Sequence, residues 1–194
     1  MDERWDKLIQ EMDACQKCGL CRTRMNVVKG AGNIEADIMF IGEGPGAEED
    51  YQGVPFVGAA GQLLDRMMAT IRLDRRNSYI ANIVKCRPPH NRTPLPEEAA
   101  ACLPFLREQV RLVHPKIIVA LGATAGRYTI SPQLRITRDR GVWVERKGFY
   151  LIATFHPSYL LREPAAKREA WADFKAIRDK IKQLGIQLER EEEQ

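Results

Sequence analysis

Five cysteines are the first residues here able to do chemistry, because their spacing is not that of scattered core thiols. Three form the run Cys15-x2-Cys18-x2-Cys21, and two more follow as Cys86-x15-Cys102. An x2 spacing makes Cys15 and Cys18 a chelating pair. Cys86 opens a loop and Cys102 lies in the first turns of the helix expected after it, so helix packing could bring these two together. Four thiolates suit zinc or an iron–sulfur cluster, and spacing alone does not choose between them. Cys21 is left over and reads more simply as a small buried or surface thiol. An odd number of cysteines also argues against a disulfide framework.

Polar and aromatic residues at strand ends form a second set. Asn82 is flanked by Ile80, Ala81, Ile83 and Val84. An unpaired amide in so apolar a strand costs about 1–3 kcal/mol, so Asn82 is either bonded to nearby backbone or offered to a ligand's donor–acceptor edge. His156, between Phe155 and Pro157, is either structural or a catalytic group at a strand's carboxyl end. Phe56, in Gly53-Val-Pro-Phe-Val-Gly58, either plugs the core edge or offers a stacking surface to a planar ligand. The loop Gly42-Glu-Gly-Pro-Gly-Ala-Glu-Glu-Asp50 resembles a phosphate cradle only superficially. Its four acids would repel a pyrophosphate, and no Gly-Lys-Ser/Thr follows.

The elements that must position these residues alternate. Helical spacing of Trp5, Leu8, Ile9 and Met12 predicts a helix over 2–14. Buried strands are expected at 37–42, 78–84 and 116–121, with a hairpin at 142–154 leading into a fourth. Helices are expected at 62–72, 97–114, 123–129 and 164–184. Alternation of this kind implies an α/β fold, a three-layer αβα sandwich around a mostly parallel four-stranded sheet in a single domain. Ligands in such sheets bind beyond the carboxyl ends of the strands, which points to the segments after Ile41, Val84, Leu121 and Thr154.

Composition narrows the class. The 194 residues are 44% hydrophobic and 29% charged, which excludes collagen-like and low-complexity chains. No apolar run is long enough to span a bilayer, and the first residues lack a signal-peptide pattern, so a cytoplasmic protein with no membrane partner is expected. Net charge is +4, but Glu189-Arg-Glu-Glu-Glu193 alone carries −3. The rest, taken as one domain over 1–188 followed by an acidic tail over 189–194, therefore holds +7. That suits a polyanionic partner.

Taken together and in order, the motifs resemble the family 4, or iron–sulfur, uracil-DNA glycosylases. Cys15-x2-Cys18 is similar to that family's first ligand pair and Gly42-Glu-Gly-Pro-Gly46 to its first motif. Gly53-x-Pro-Phe-Val-Gly-x2-Gly-Gln-Leu-Leu64 resembles the loop with the stacking aromatic. Ala81-Asn-Ile-Val-Lys-Cys-Arg-Pro-Pro89 resembles the Asn segment with the third ligand, Cys102 the fourth ligand, and His156-Pro-Ser-Tyr-Leu-Leu161 the last motif. The resemblance implies an enzyme that hydrolyses the N-glycosidic bond of deoxyuridine in single- or double-stranded DNA, acting as a monomer. It further implies a structural [4Fe–4S] cluster on Cys15, Cys18, Cys86 and Cys102, with zinc as the lesser candidate. Uracil would stack on Phe56, pair with Asn82 and receive a hydrogen bond from His156. Glu43, beside Gly44, would serve the attacking water or the sugar's developing charge, and Glu49 would lie near C5 and exclude thymine. Ser158 would help pinch the backbone while Tyr159, Leu160 or Leu161 fills the vacated stack. Arg22, Arg24, Lys29, Arg87 and Arg92 gather around the implied ligands as DNA contacts.

Two departures stand out. Cys21 is an extra thiol in the first ligand loop. A Lys-Arg-Arg-Ile-His insertion, found in a related group that bonds covalently to uracil-containing DNA, is missing, which favours ordinary turnover. The competing class is a non-catalytic iron–sulfur or zinc protein that binds nucleic acid or carries electrons, which would not need Asn82, Phe56 and His156 at strand ends. A base-excision enzyme of the same fold with another base as substrate is a third reading.

Overall fold

Eight α-helices and six strands make up the computed structural model, which describes residues 3–188; the acidic 189–194 segment lies outside the described residues. The strands are β1 (Ala31–Gly32), β2 (Ile38–Gly42), β3 (Tyr79–Asn82), β4 (Ile117–Leu121), β5 (Val144–Arg146) and β6 (Phe149–Thr154). The helices are α1 (Glu3–Asp13), α2 (Ala47–Gln52), α3 (Ala59–Ala69), α4 (Pro96–Val113), α5 (Gly122–Thr129), α6 (Ile136–Asp139), α7 (Pro157–Arg162) and α8 (Lys167–Gln183).

One sheet runs in the order β1-β3-β2-β4-β6-β5. Its four inner strands are parallel, as β2 pairs with β3 and β4, and β4 with β6. The four-strand expectation is thus corrected to six, because short antiparallel strands flank the parallel centre on both edges. Only two residues long and ending in Gly32, β1 is too short to leave a periodic signal. At the other edge, Lys147 and Gly148 both have positive φ, the requirement of a two-residue hairpin turn, and join β5 to β6.

Alternation within the inner strands explains the three layers. Met39, Ile41, Ile118, Ala120 and Ala153 face a core shared with α1, α4 and α5. Ile38, Phe40, Val119 and Ile152 face the opposite core under α3 and α8. Strands covered on both sides must be apolar throughout, and β2 and β4 are buried at every position. Burying each such side chain contributes about 1.5–3 kcal/mol. Among the described residues, no helix is long and apolar enough to cross a membrane.

From β2 the chain passes to β3 on one side, and β4 pairs with β2 on the other. The loops leaving β2 and β4 therefore diverge, and such a switch point opens a crevice at the strands' carboxyl ends.

Candidate active site

A cleft of about 620 Å³ occupies that crevice. All four inner strands supply its wall: Glu43 follows β2, Asn82 ends β3, Thr124 follows β4, and His156 follows β6. Gly44, Glu49, Phe56 and Ser158 line it too, so the structure brings together all seven residues that the resemblance assigned to catalysis or substrate binding.

Asn82 is 1% exposed, and its Oδ1 has no hydrogen-bond partner among the described residues. Leaving such an acceptor unpaired costs about 1–3 kcal/mol, so the position is set up for a donor from outside the chain. Its backbone is pinned separately, as the wholly buried Lys85 donates from Nζ to the Asn82 carbonyl at 2.8 Å. Burial pulls the Lys85 ammonium down to about 8. Sequence reading missed this lysine, since nothing local marks a Lys as buried.

His156 emerges from β6 and caps α7. Its Nδ1 accepts from the Ser158 N–H at 3.1 Å, with the Ser158 Oγ at 2.7 Å, and Pro157 takes the first helical position. An accepting Nδ1 leaves the ring proton on Nε2. Protein surrounds the ring closely, and burial, aided by the Arg162 charge, pulls it down to about 4 despite the opposing Glu49 charge. At neutral pH this residue is therefore an uncharged N–H donor with one face on the cleft. Ser158, expected to pinch DNA, has its hydroxyl engaged with this ring.

Phe56 is buried and sits 5.6 Å from the His156 ring centroid at 33°. A Cβ on Gly42 would come within 2.6 Å of the Phe56 ring and 2.5 Å of the Asn82 Oδ1. Glycine at the end of β2 thus makes room for the aromatic wall and the amide to meet. Gly44 is similarly close-packed, its missing Cβ 2.8 Å from a Val84 methyl.

The two acids differ. Glu49 spends both carboxylate oxygens on backbone: Oε2 accepts from Gly46 N at 3.0 Å, and Oε1 from Val57 N and Gly58 N at 2.9 Å each. It closes the N-terminus of α2 and ties the Phe56 loop to it while lining the cleft. Glu43 makes no side-chain hydrogen bond or ion pair among the described residues and stays available to the cleft. In the last motif, Leu160 is wholly buried, Tyr159 packs on Phe155 at 4.9 Å, and Leu161 is 41% exposed.

A second, narrower pocket is lined by Cys15, Cys18, Cys21, Cys86 and Cys102, with Arg24 beside them. Packing of α4 against the sheet brings Cys102 to it, as the spacing suggested. Arg24 donates to the Cys86 Sγ at 3.2 Å and to the Cys15 carbonyl at 2.9 Å, and Lys85 N donates to the Cys102 Sγ at 3.3 Å. Burial pushes the Cys86 thiol up to about 11 against the opposing Arg24, and Cys102 is raised for the same reason. No three acidic, histidine or cysteine side chains among the described residues are grouped to hold a single metal ion. Of the cations expected to meet DNA, Arg24 turns inward to sulfur. Lys29 pairs with Asp13 at 2.7 Å and Arg92 with Glu98 at 2.7 Å.

A partly apolar cleft with one orphaned amide and a neutral imidazole, set at the carboxyl ends of parallel strands, is the ligand site of an α/β protein. Residues 29–175 match the model of the uracil DNA glycosylase superfamily, a span that includes every cleft residue named but not Cys15 or Cys18. A type-4 uracil-DNA glycosylase of Thermotoga maritima is 44% identical over 188 residues, covering 95% of this chain and 98% of that one. Those of Archaeoglobus fulgidus and Sulfurisphaera tokodaii are each 43% identical over 183 residues, covering 90% of this chain and 92% and 83% of theirs. The chain therefore belongs to the uracil-DNA glycosylase superfamily, and within it to the type-4 group.

Proposed function

We propose that this protein hydrolyses the N-glycosidic bond of deoxyuridine in DNA, releasing free uracil and leaving an abasic site for base excision repair. The observation that carries the reading is the buried, partnerless Asn82 Oδ1 set beside Phe56 and a neutral His156 in one cleft. The N3–H of a flipped uracil supplies the donor that Oδ1 lacks, with the base stacked on Phe56. Extruding that base costs a few kcal/mol, and the exposed Leu161, rather than the buried Leu160, fills the gap.

As the bond to the sugar breaks, its electron pair passes to the base and charge gathers on O2. The His156 Nε2–H donates to that oxygen, and a donor fixed in place before the reaction needs no reorganisation to stabilise it. Because the ring is neutral, it stabilises the anion without giving up its proton. Glu43 orients the water that adds to the sugar C1′ and accepts the proton released, while its charge steadies the positive sugar. Ser158 holds the imidazole in the productive tautomer, Glu49 braces the loop of Phe56, and Gly44 allows the cleft wall its close approach.

Cys15, Cys18, Cys86 and Cys102 hold a [4Fe–4S] cluster in this reading. Thiols spread around a pocket wall suit a cluster with four cysteine ligands, whereas zinc draws four sulfurs to about 2.3 Å of one point. When bound, the cluster ties the 15–21 loop to α4 and takes no part in the hydrolysis. The protein acts as a cytoplasmic monomer on uracil-containing DNA, single- or double-stranded.

The test is release of free uracil from a single-stranded deoxyuridine oligonucleotide, run beside His156→Ala. Release by the wild type and a rate at least about a hundredfold lower in the variant are expected. Uracil retained in the DNA under single-turnover conditions would sink the proposal.

A further inference from the structure

Phe56 holds a backbone conformation that an aromatic residue rarely adopts. Its φ is 56°, in the left-handed region, at a cost of roughly 1–2 kcal/mol. Such a conformation persists only where neighbouring groups over-determine it, and here they do so from both sides. Arg75 donates from one guanidinium nitrogen to the Pro55 carbonyl at 2.9 Å and from another to the Phe56 carbonyl. Its Nε is oriented by Asp65 of α3 at 3.1 Å. On the far side, Glu49 takes the N–H groups of Val57 and Gly58. Below, a Cβ on Gly61 would come within 1.8 Å of the Phe56 carbonyl oxygen, so α3 begins directly against that peptide.

Arg75 is not among the residues that line the cleft. Any influence it has on a bound base must pass through the peptide it grips. We propose that Arg75, oriented by Asp65, is a positioning residue that sets the plane of the Phe56 ring for stacking. The proposal rests on Phe56 being the stacking aromatic. Three successive peptide units, those joining Pro55 to Gly58, are held by one guanidinium and one carboxylate, leaving the ring little freedom to tilt. With the clamp gone, φ relaxes to an unstrained region, the ring rotates away from His156, and the base loses its platform while Asn82 and His156 keep theirs.

The experiment is a double-mutant cycle in the full-length protein with Phe56→Ala, Arg75→Ala and the two combined. It reads kcat and KM on a deoxyuridine oligonucleotide and the inhibition constant of free uracil. For Arg75→Ala, a loss of about tenfold in kcat/KM and a comparable weakening of uracil inhibition are expected. In the Phe56→Ala background the same substitution should cost less than about twofold in either quantity. Equal losses in both backgrounds, or unchanged uracil inhibition in Arg75→Ala, overturn the clamp while leaving the stacking role standing. Wild-type behaviour of Phe56→Ala overturns the stacking role and the clamp with it. Should Arg75→Ala fail to fold, Asp65→Asn keeps the guanidinium but loosens its aim. It should show the same dependence on Phe56 at about twofold, and an equal effect in both backgrounds overturns the clamp.

Discussion

The wide cleft and the thiol pocket are built by opposite means. The wide cleft draws on the ends of four parallel strands, and its residues span more than a hundred positions, from Glu43 to Arg162. Backbone pairing places the strand ends at Gly42, Asn82, Leu121 and Thr154, so the residues on or just after them inherit the rigidity of the sheet, while Glu49 and Arg75 hold the Phe56 loop. The thiol pocket draws on a loop over 15–21, the segment after β3 and the first turns of α4. Besides apolar packing, its walls are joined by the hydrogen bonds of Arg24 to Cys86 and Cys15 and of Lys85 to Cys102, and by the Lys17 ammonium over the Phe105 ring at 4.4 Å. The comparison teaches that a site made of strand ends is preformed, whereas a site made of loops depends on what its ligands bind.

The contrast breaks most sharply at Asn82. Asn82→Ala should lower kcat/KM by about 10²–10³ while leaving iron content and melting temperature near wild type. A parallel loss of iron would mean that the pockets are not separable in this way. Cys102→Ser should do the reverse. Loss of a bound group worth about 3 kcal/mol lowers the melting temperature by roughly 5–10 °C, and iron content should fall with it. A Cys102→Ser protein with full iron and wild-type melting would remove Cys102 from the ligand set.

The smallest effect sharpens the picture of the cleft. An ordinary histidine titrates near 6.5, but His156 is pulled down to about 4, so it stays neutral between those values. The Nε2–H donor is therefore unchanged from pH 8 to 5, and no limb of the kcat profile belongs to His156 in that range. A pH–rate profile with an acid limb near 6.5 that His156→Ala abolishes would contradict the neutral-donor role. The unfolded chain takes up that proton as pH falls from 6.5 towards 4 while the folded chain does not, so this residue lowers stability on acidification through that window.

Much of this was legible in the linear chain. The buried strands at 37–42 and 116–121 appear within a residue of their expected bounds, because a strand covered on both faces must be apolar at nearly every position. Helix α4 follows from Pro96 at its start and Pro115 beyond its end. Less legible were α2 and α7, six residues each and stabilised by groups that are not local hydrophobic pattern. Glu49 holds one through the Gly46 N–H, and the His156 ring caps the other. The expected helix at 62–72 begins three residues earlier, at Ala59, because Gly58 and the Glu49 brace start it where propensity gives no sign.

By itself the sequence determined the alternating α/β pattern, the strand ends where the cleft lies and the residue types that line it. These depend on periodicity and on the rule that parallel strands carry ligands at their carboxyl ends, both local in origin. Only the tertiary structure decided what each residue touches there. It set Glu49 against the backbone of the Phe56 loop, Ser158 against the His156 ring and Arg24 against sulfur. It also left the Asn82 oxygen without a partner and set Arg75 behind Phe56. A side chain's partners are chosen by groups far away in sequence, and no spacing along the chain encodes which hydrogen bonds the fold will satisfy or leave unmade.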